Sequence, residues 1–180
     1  MTSTQIPGSE SVQFAGGFVA MPNSSFTATT SSAAYAGTSS NPVVISDSSA
    51  AGSVSQLSWS LGRVNGGTGT ITEALLIDER DASTKLQARL YLFTSTVAPS
   101  TDGAAFAPTA AEMANIVGTV DFTSPIASSV SVLYHEKNVN MDFVCAATVQ
   151  TIRGVLTAIS SYSKSTAGES FQVILKARLD

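Results

Sequence analysis

The chain has little charge, one histidine, one cysteine and no long apolar run, and each shortage removes a class of explanation. Of its 180 residues only 9 are Lys or Arg and 13 are Asp or Glu, giving a formal net charge of -4. A nucleic-acid partner would call for a Lys/Arg-rich stripe to neutralise phosphates, and none is present. The same acidic balance disfavours an anionic membrane surface as partner. No apolar run approaches the roughly 18 residues needed to span a bilayer. The start, Met1-Thr2-Ser3-Thr4-Gln5, has neither a basic n-region nor an apolar core, so no secretory signal is expected and synthesis in a cytoplasm is. Cys145, the only cysteine, excludes an internal disulfide, so stability has to come from packing or assembly. Such a weakly charged surface suits a protein covered by neighbours better than an isolated monomer, which needs charge for solubility.

What the chain does have is alternation. Leu86, Ala88, Leu90 and Leu92 fall on one side of Gln87, Arg89, Tyr91 and Phe93. Near the C-terminus Phe171, Val173, Leu175, Ala177 and Leu179 oppose Gln172, Ile174, Lys176 and Arg178. A period of two is the mark of a half-buried strand, because successive Cβ atoms point to opposite faces of a sheet. The same reading gives a strand over 54–61 with Leu57, Trp59 and Leu61 inward, a tight turn at Asn65-Gly66-Gly67, and a strand over 70–77. The strands at 70–77 and 86–93 are expected to form an antiparallel pair, and 94–107 a loop.

Pro108-Thr109-Ala110-Ala111-Glu112 is a capping-box sequence and predicts one short helix over 110–115. Further strands are expected at 118–122, 130–135, 139–145, 151–160 and 169–179. Many strands about ten residues apart with a single helix predict an all-β fold. The expected architecture is an antiparallel two-sheet sandwich, jelly-roll-like, over residues 54–180. Residues 1–53, rich in Ser, Thr, Ala and Gly, read as an extended N-terminal arm with short strands, the alternative being a tail without structure.

A search for chemistry returns little. His135 could nominally join a serine and Asp121 or Asp142, but no Gly-x-Ser-x-Gly elbow exists, and an ordinary sheet-surface role is expected. Cys145, among Phe143, Val144, Ala146 and Ala147, reads as a small buried apolar residue. One His and one Cys cannot build a zinc site in a single chain. Asp78, Glu79 and Asp81 lack the spacing of a calcium loop and read as a solvated turn. The glycines from Gly66 to Gly69 lack the Gly-Lys-Ser/Thr ending of a phosphate loop. Trp59, on the apolar side of its strand, reads as core rather than as a sugar platform. No catalytic, metal or cofactor residue is therefore assigned, and no enzyme activity is expected.

The order Leu76-Ile77-Asp78, Ser83-Thr84-Lys85, Arg89-Leu90-Tyr91-Leu92-Phe93, Ala105-Phe106-Ala107-Pro108-Thr109, Glu112-Met113-Ala114-Asn115, Val117-Gly118 and Val120-Asp121-Phe122 resembles small structural proteins of tailed bacteriophages. The resemblance covers about residues 70–123. It implies a virion component made in the bacterial host, most closely a head decoration, or cement, protein on the capsid exterior. Its implied partners are the phage major capsid protein and copies of itself, as dimer or trimer, with no nucleic acid and no membrane. The alternative is a tail, baseplate or receptor-binding module of the virion. Under the leading reading Phe14, Phe18, Val19 and Phe26 are the expected partner-binding anchors, being apolar side chains in an otherwise polar arm; capping their own domain's core is the other use for them.

Overall fold

The computed structural model describes residues 18–20, 23–28, 34–47, 56–79, 84–98, 101–128, 130–163 and 169–180. Its elements are β1 (Phe18–Ala20), β2 (Asn23–Ala28), β3 (Ala34–Ala36), β4 (Val43–Ile45), β5 (Leu57–Ser60), β6 (Thr68–Asp78), β7 (Ala88–Phe93), α1 (Ala110–Met113), β8 (Ile116–Phe122), β9 (Pro125–Ala127), β10 (Val132–Val144), β11 (Thr151–Ala158), β12 (Ser161–Ser163) and β13 (Glu169–Leu179). The fold is all-β, and every strand pairing is antiparallel.

The larger, six-stranded sheet runs β1-β13-β6-β10-β9, with β2 also on β13. Since β1 pairs with residues 177–179 of β13 and β2 with residues 169–174, the two follow one another along the same edge. The smaller, five-stranded sheet runs β4-β11-β7-β8, and β4 and β5 share one edge of β11 in the same manner. Thus residues 18–20, 23–28 and 43–45 contribute strands to sheets otherwise built from strands between residues 57 and 179.

Alternation works as the sequence implies. Phe171, Val173, Leu175, Ala177 and Leu179 of β13 are buried, as are Ala88, Leu90 and Leu92 of β7 and Leu57 and Trp59 of β5. These inner faces meet in one apolar cluster. At Asn65-Gly66-Gly67 the Gly67 N–H closes a turn on the Val64 carbonyl, with Gly66 at φ +73°, where a side chain would be strained. The capping box is present in full: Thr109 Oγ1 accepts from the Glu112 N–H, and Glu112 Oε2 accepts from the Thr109 N–H at 2.7 Å.

Three expectations about strands change. Strands β6 and β7 are not a pair; they lie in opposite sheets. Both bury alternate residues in the same interior, so their patterns look alike whichever sheet each joins. The two strands expected at 130–135 and 139–145 are one, because β10 continues through a bulge. Three residues, 138–140, stand there against Thr72 of β6, and Asn138 (φ 59°) and Asn140 (φ 47°) take left-handed conformations that asparagine tolerates. Third, part of the Ser/Thr run after residue 160 forms β12, which pairs with β3 in a ribbon.

That ribbon sets Tyr35 directly opposite Tyr162, both fully buried, with ring centroids 6.2 Å apart. Tyr35 Oη donates to Asp102 Oδ1 (2.7 Å), which also accepts the Ser46 N–H (2.9 Å). Tyr162 Oη meets Asp78 Oδ2 at 3.0 Å and also Glu169 Oε1. Burial, then the two carboxylates, push the Tyr162 hydroxyl well above its ordinary value. Asp78, read from sequence as part of a solvated turn, is therefore buried (1% exposed), because Tyr162 gives it a partner inside. Asp81 lies outside the described residues.

Trp59 links the sheets. Rising from β5, its indole N–H donates to the Val173 carbonyl of β13 at 3.0 Å. The ring lies over Gly154 of β11, where an added Cβ would come within 2.6 Å of Trp59 Cζ3. Gly154→Ala is expected to destabilise the fold by about 1–3 kcal/mol, the usual cost of overpacking a close contact. Urea unfolding of the two proteins measures it, and equal midpoints would refute the contact.

Candidate docking surface

The outer faces of the two sheets differ. Over the smaller one the chain returns after β7: Phe106 packs at a tilt of 45° on outward-facing Tyr91, with centroids 4.5 Å apart. The strap then pairs with the outer edge of β4, the Val44 N–H donating to the Ala104 carbonyl (2.8 Å) and the Phe106 N–H to the Pro42 carbonyl (2.9 Å). Glu112 anchors its far end, accepting from the Ala98 and Thr109 N–H groups, which hold its carboxyl below the usual range. Also on this face Arg89 grips Asp121 with two nitrogens, at 2.5 and 2.8 Å. Among the described residues no segment crosses the outer face of the larger sheet in this way.

That bare face carries apolar side chains where alternation would place polar ones. Burial of Leu76 and Asp78 on β6, Val132 and Tyr134 on β10, and Val173 and Leu175 on β13 turns Leu75, Ile77, Leu133 and Ile174 outward, each half-buried. Register sets them side by side: Leu75 opposite Ile174, Ile77 opposite Leu133, and Leu133 opposite Ile126 of β9. Ile126 is 63% exposed and nearby Val130 is 71% exposed. An aliphatic row across four neighbouring strands is the type of surface that marks a contact site.

A charged cluster borders the row. Glu73 Oε1 accepts from Lys176 Nζ at 2.7 Å, and Glu73 Oε2 lies 2.8 Å from His135 Nε2. The bulge at Thr72 sets this up: β6 steps from Glu73 to Ile71 while β13 steps only from Lys176 to Ala177, and Thr72 Oγ1 donates to the Lys176 carbonyl (3.1 Å). The hydrogen bond from Lys176, and after it that with His135, holds the Glu73 carboxyl below the usual carboxylate range.

The residues singled out from sequence are distributed as follows. His135 is on the outer sheet surface as expected, engaged with Glu73. Cys145 is buried, and burial raises its thiol. Among the described residues no three of His, Cys, Asp and Glu stand together to hold a metal ion, and no helix is long and apolar enough to cross a membrane. Of the expected arm anchors, Phe18 is opposite Leu179, Val19 opposite Arg178, and Phe26 opposite Phe171, all along β13; Phe14 lies outside the described residues. Sequence reasoning did not reach the aliphatic row, although Leu75-Leu76-Ile77 carried its signal. Three consecutive apolar residues in a strand must present one or more to the outside.

Set against known proteins, the chain matches no family model and no curated relative.

Because the folded Glu73 carboxyl titrates below its unfolded value, its stabilisation is complete above the unfolded range (about 4.3) and disappears as pH falls through the folded value. The gap in melting temperature between the native chain and Glu73→Gln is expected to close on acidification. A gap independent of pH would show that the Lys176 and His135 contacts contribute nothing.

Proposed function

We propose that this chain is a non-enzymatic structural protein of a tailed-phage virion, a head decoration protein that lies on the outer capsid surface. The observation that carries the proposal is the aliphatic row of Leu75, Ile77, Leu133, Ile174 and Ile126 on the unstrapped outer face of the larger sheet. Apolar area of this kind gains free energy when another protein covers it. The rim of Glu73, His135 and Lys176 would set orientation more than affinity.

The strand order supports the same reading. With β1/β2 and β4/β5 taken as single interrupted strands, the sheets run β1/β2-β13-β6-β10 and β4/β5-β11-β7-β8. Consecutive strands of this set change sheet at every step except β7 to β8, as in a jelly roll, an architecture used by viral capsid and lectin domains. Sparse charge fits a protein whose surface is shared with neighbours. A protein that binds only the assembled shell stabilises it by mass action. Repeated copies on a lattice make modest individual contacts sufficient.

Cryo-EM of virions from the genome that encodes the chain tests the proposal. Sandwich density repeated over the shell exterior, with the larger sheet facing the shell, is the expected result. Density confined to the tail or baseplate would replace the head assignment with the alternative virion role. Ile126→Glu is expected to leave folding intact, since the side chain is exposed, and to weaken shell binding at least about tenfold, the loss typical of one interface anchor. Cosedimentation with undecorated shells reads that change.

A further inference from the structure

An Asn or Asp followed by Gly is where a backbone most readily attacks its own side chain, because glycine leaves the attacking nitrogen unshielded. The chain has two such pairs, Asn65-Gly66 and Asp102-Gly103. Both have the same backbone. The Gly67 N–H closes on the Val64 carbonyl (2.9 Å) and the Ala104 N–H on the Thr101 carbonyl (3.0 Å). Gly66 has φ +73° and Gly103 φ +79°, while Asn65 and Asp102 keep the ordinary sign, so each is a type II turn.

In such a turn ψ of the second residue is about +120°, which holds the next nitrogen away from that residue's Cβ. A five-membered ring needs the two on the same side. Both glycine nitrogens are also engaged, the Gly66 N–H on the Val149 carbonyl (3.1 Å) and the Gly103 N–H on the Val44 carbonyl (2.9 Å). Either turn must open before its ring can close.

The side chains separate the two. Asp102 Oδ1 accepts from the Tyr35 hydroxyl (2.7 Å) and the Ser46 N–H (2.9 Å), and Tyr35 is fully buried, so moving Asp102 strips a buried phenol of its partner. Asn65 is exposed, and its side chain has no hydrogen bond among the described residues.

We propose that Asn65 is a self-modification site, deamidated by the Gly66 nitrogen when the 64–67 turn opens, while Asp102 is held out of the same chemistry. The Gly66 nitrogen loses its proton to solvent base and attacks Asn65 Cγ. The N–Cγ bond forms, the Cγ–Nδ2 bond breaks, and the side-chain nitrogen leaves as ammonia. Water then opens the ring at either carbonyl, leaving aspartate or isoaspartate at position 65. The product places a new negative charge beside Val64, itself 63% exposed. This turn leads into β6 at Thr68, the opposite end of that strand from Ile77, so the inference is independent of the docking role proposed for the aliphatic row.

Incubation of the full chain in mildly alkaline buffer, folded or in guanidinium chloride, tests it, with peptide mass spectrometry and isoaspartate detection as readouts. Conversion at position 65 is expected in both, slower in the folded chain by at least about tenfold, the mark of a reaction that waits for a local opening. The slowing should match that of Gly66 amide hydrogen exchange, because both need the same N–H released. Asn65→Gln, which would have to close a larger ring, is expected to remove the conversion there and to leave the melting temperature unchanged. Equal rates in folded and denatured chains overturn the inference. So does an intact residue 65 after several of the half-times that Gly66 exchange sets, or isoaspartate at position 102 before position 65.

Discussion

Two sheets closing on one apolar interior is the constraint from which the other features follow, and Trp59 over Gly154 shows it plainly. The indole fills the space between β5 and β13 and places its one polar atom on the Val173 carbonyl. That position exists only because β11 offers no side chain at Gly154. Large aromatic groups bury much apolar area, but their polar atoms need partners once inside. The same requirement explains Tyr134, whose hydroxyl donates to the Leu86 carbonyl, and the Tyr35 and Tyr162 pair at the ribbon. In each case a ring extends from one element and its polar end is satisfied on another, so connections far apart in sequence are tied without a disulfide.

The ends and the faces of the sandwich are finished by different means. At the ribbon end, buried carboxylates of Asp78 and Glu169 converge on one phenol, a polar arrangement that orders β12 against the larger sheet. On the smaller sheet a strap carrying Phe106 covers the outer surface and a bidentate Arg89–Asp121 pair braces two strands. The larger sheet has neither strap nor cover among the described residues, and it is here that aliphatic side chains face out. Among the described residues one outer face is covered and the other is not, and that asymmetry directs the functional proposal toward binding.

Much of the strand inventory was legible because a period of two survives whatever a strand pairs with. The inward residues of β13, β7 and β5, the capping box at Thr109 and the glycine turn near Gly66 are local facts, set by side-chain alternation, one hydroxyl and one missing Cβ. Asp78 was misread because the hydroxyl that reaches it, Tyr162 of β12, lies 84 residues later in the chain. The bulge in β10 was read as a break, since two asparagines usually signal a turn; here they keep the strand going through left-handed backbone.

Alternation in the sequence by itself determined that this is an all-β chain and which residues face the interior, and the capping box determined where the short helix begins. Tertiary structure alone decided which sheet each strand joined, which side chains of the larger sheet face outward, and that Glu73, His135 and Lys176 meet. The physical reason is range. Backbone conformation and burial pattern are written within a few consecutive residues, whereas strand partnership depends on which inner surfaces fit together after the chain has crossed from one sheet to the other.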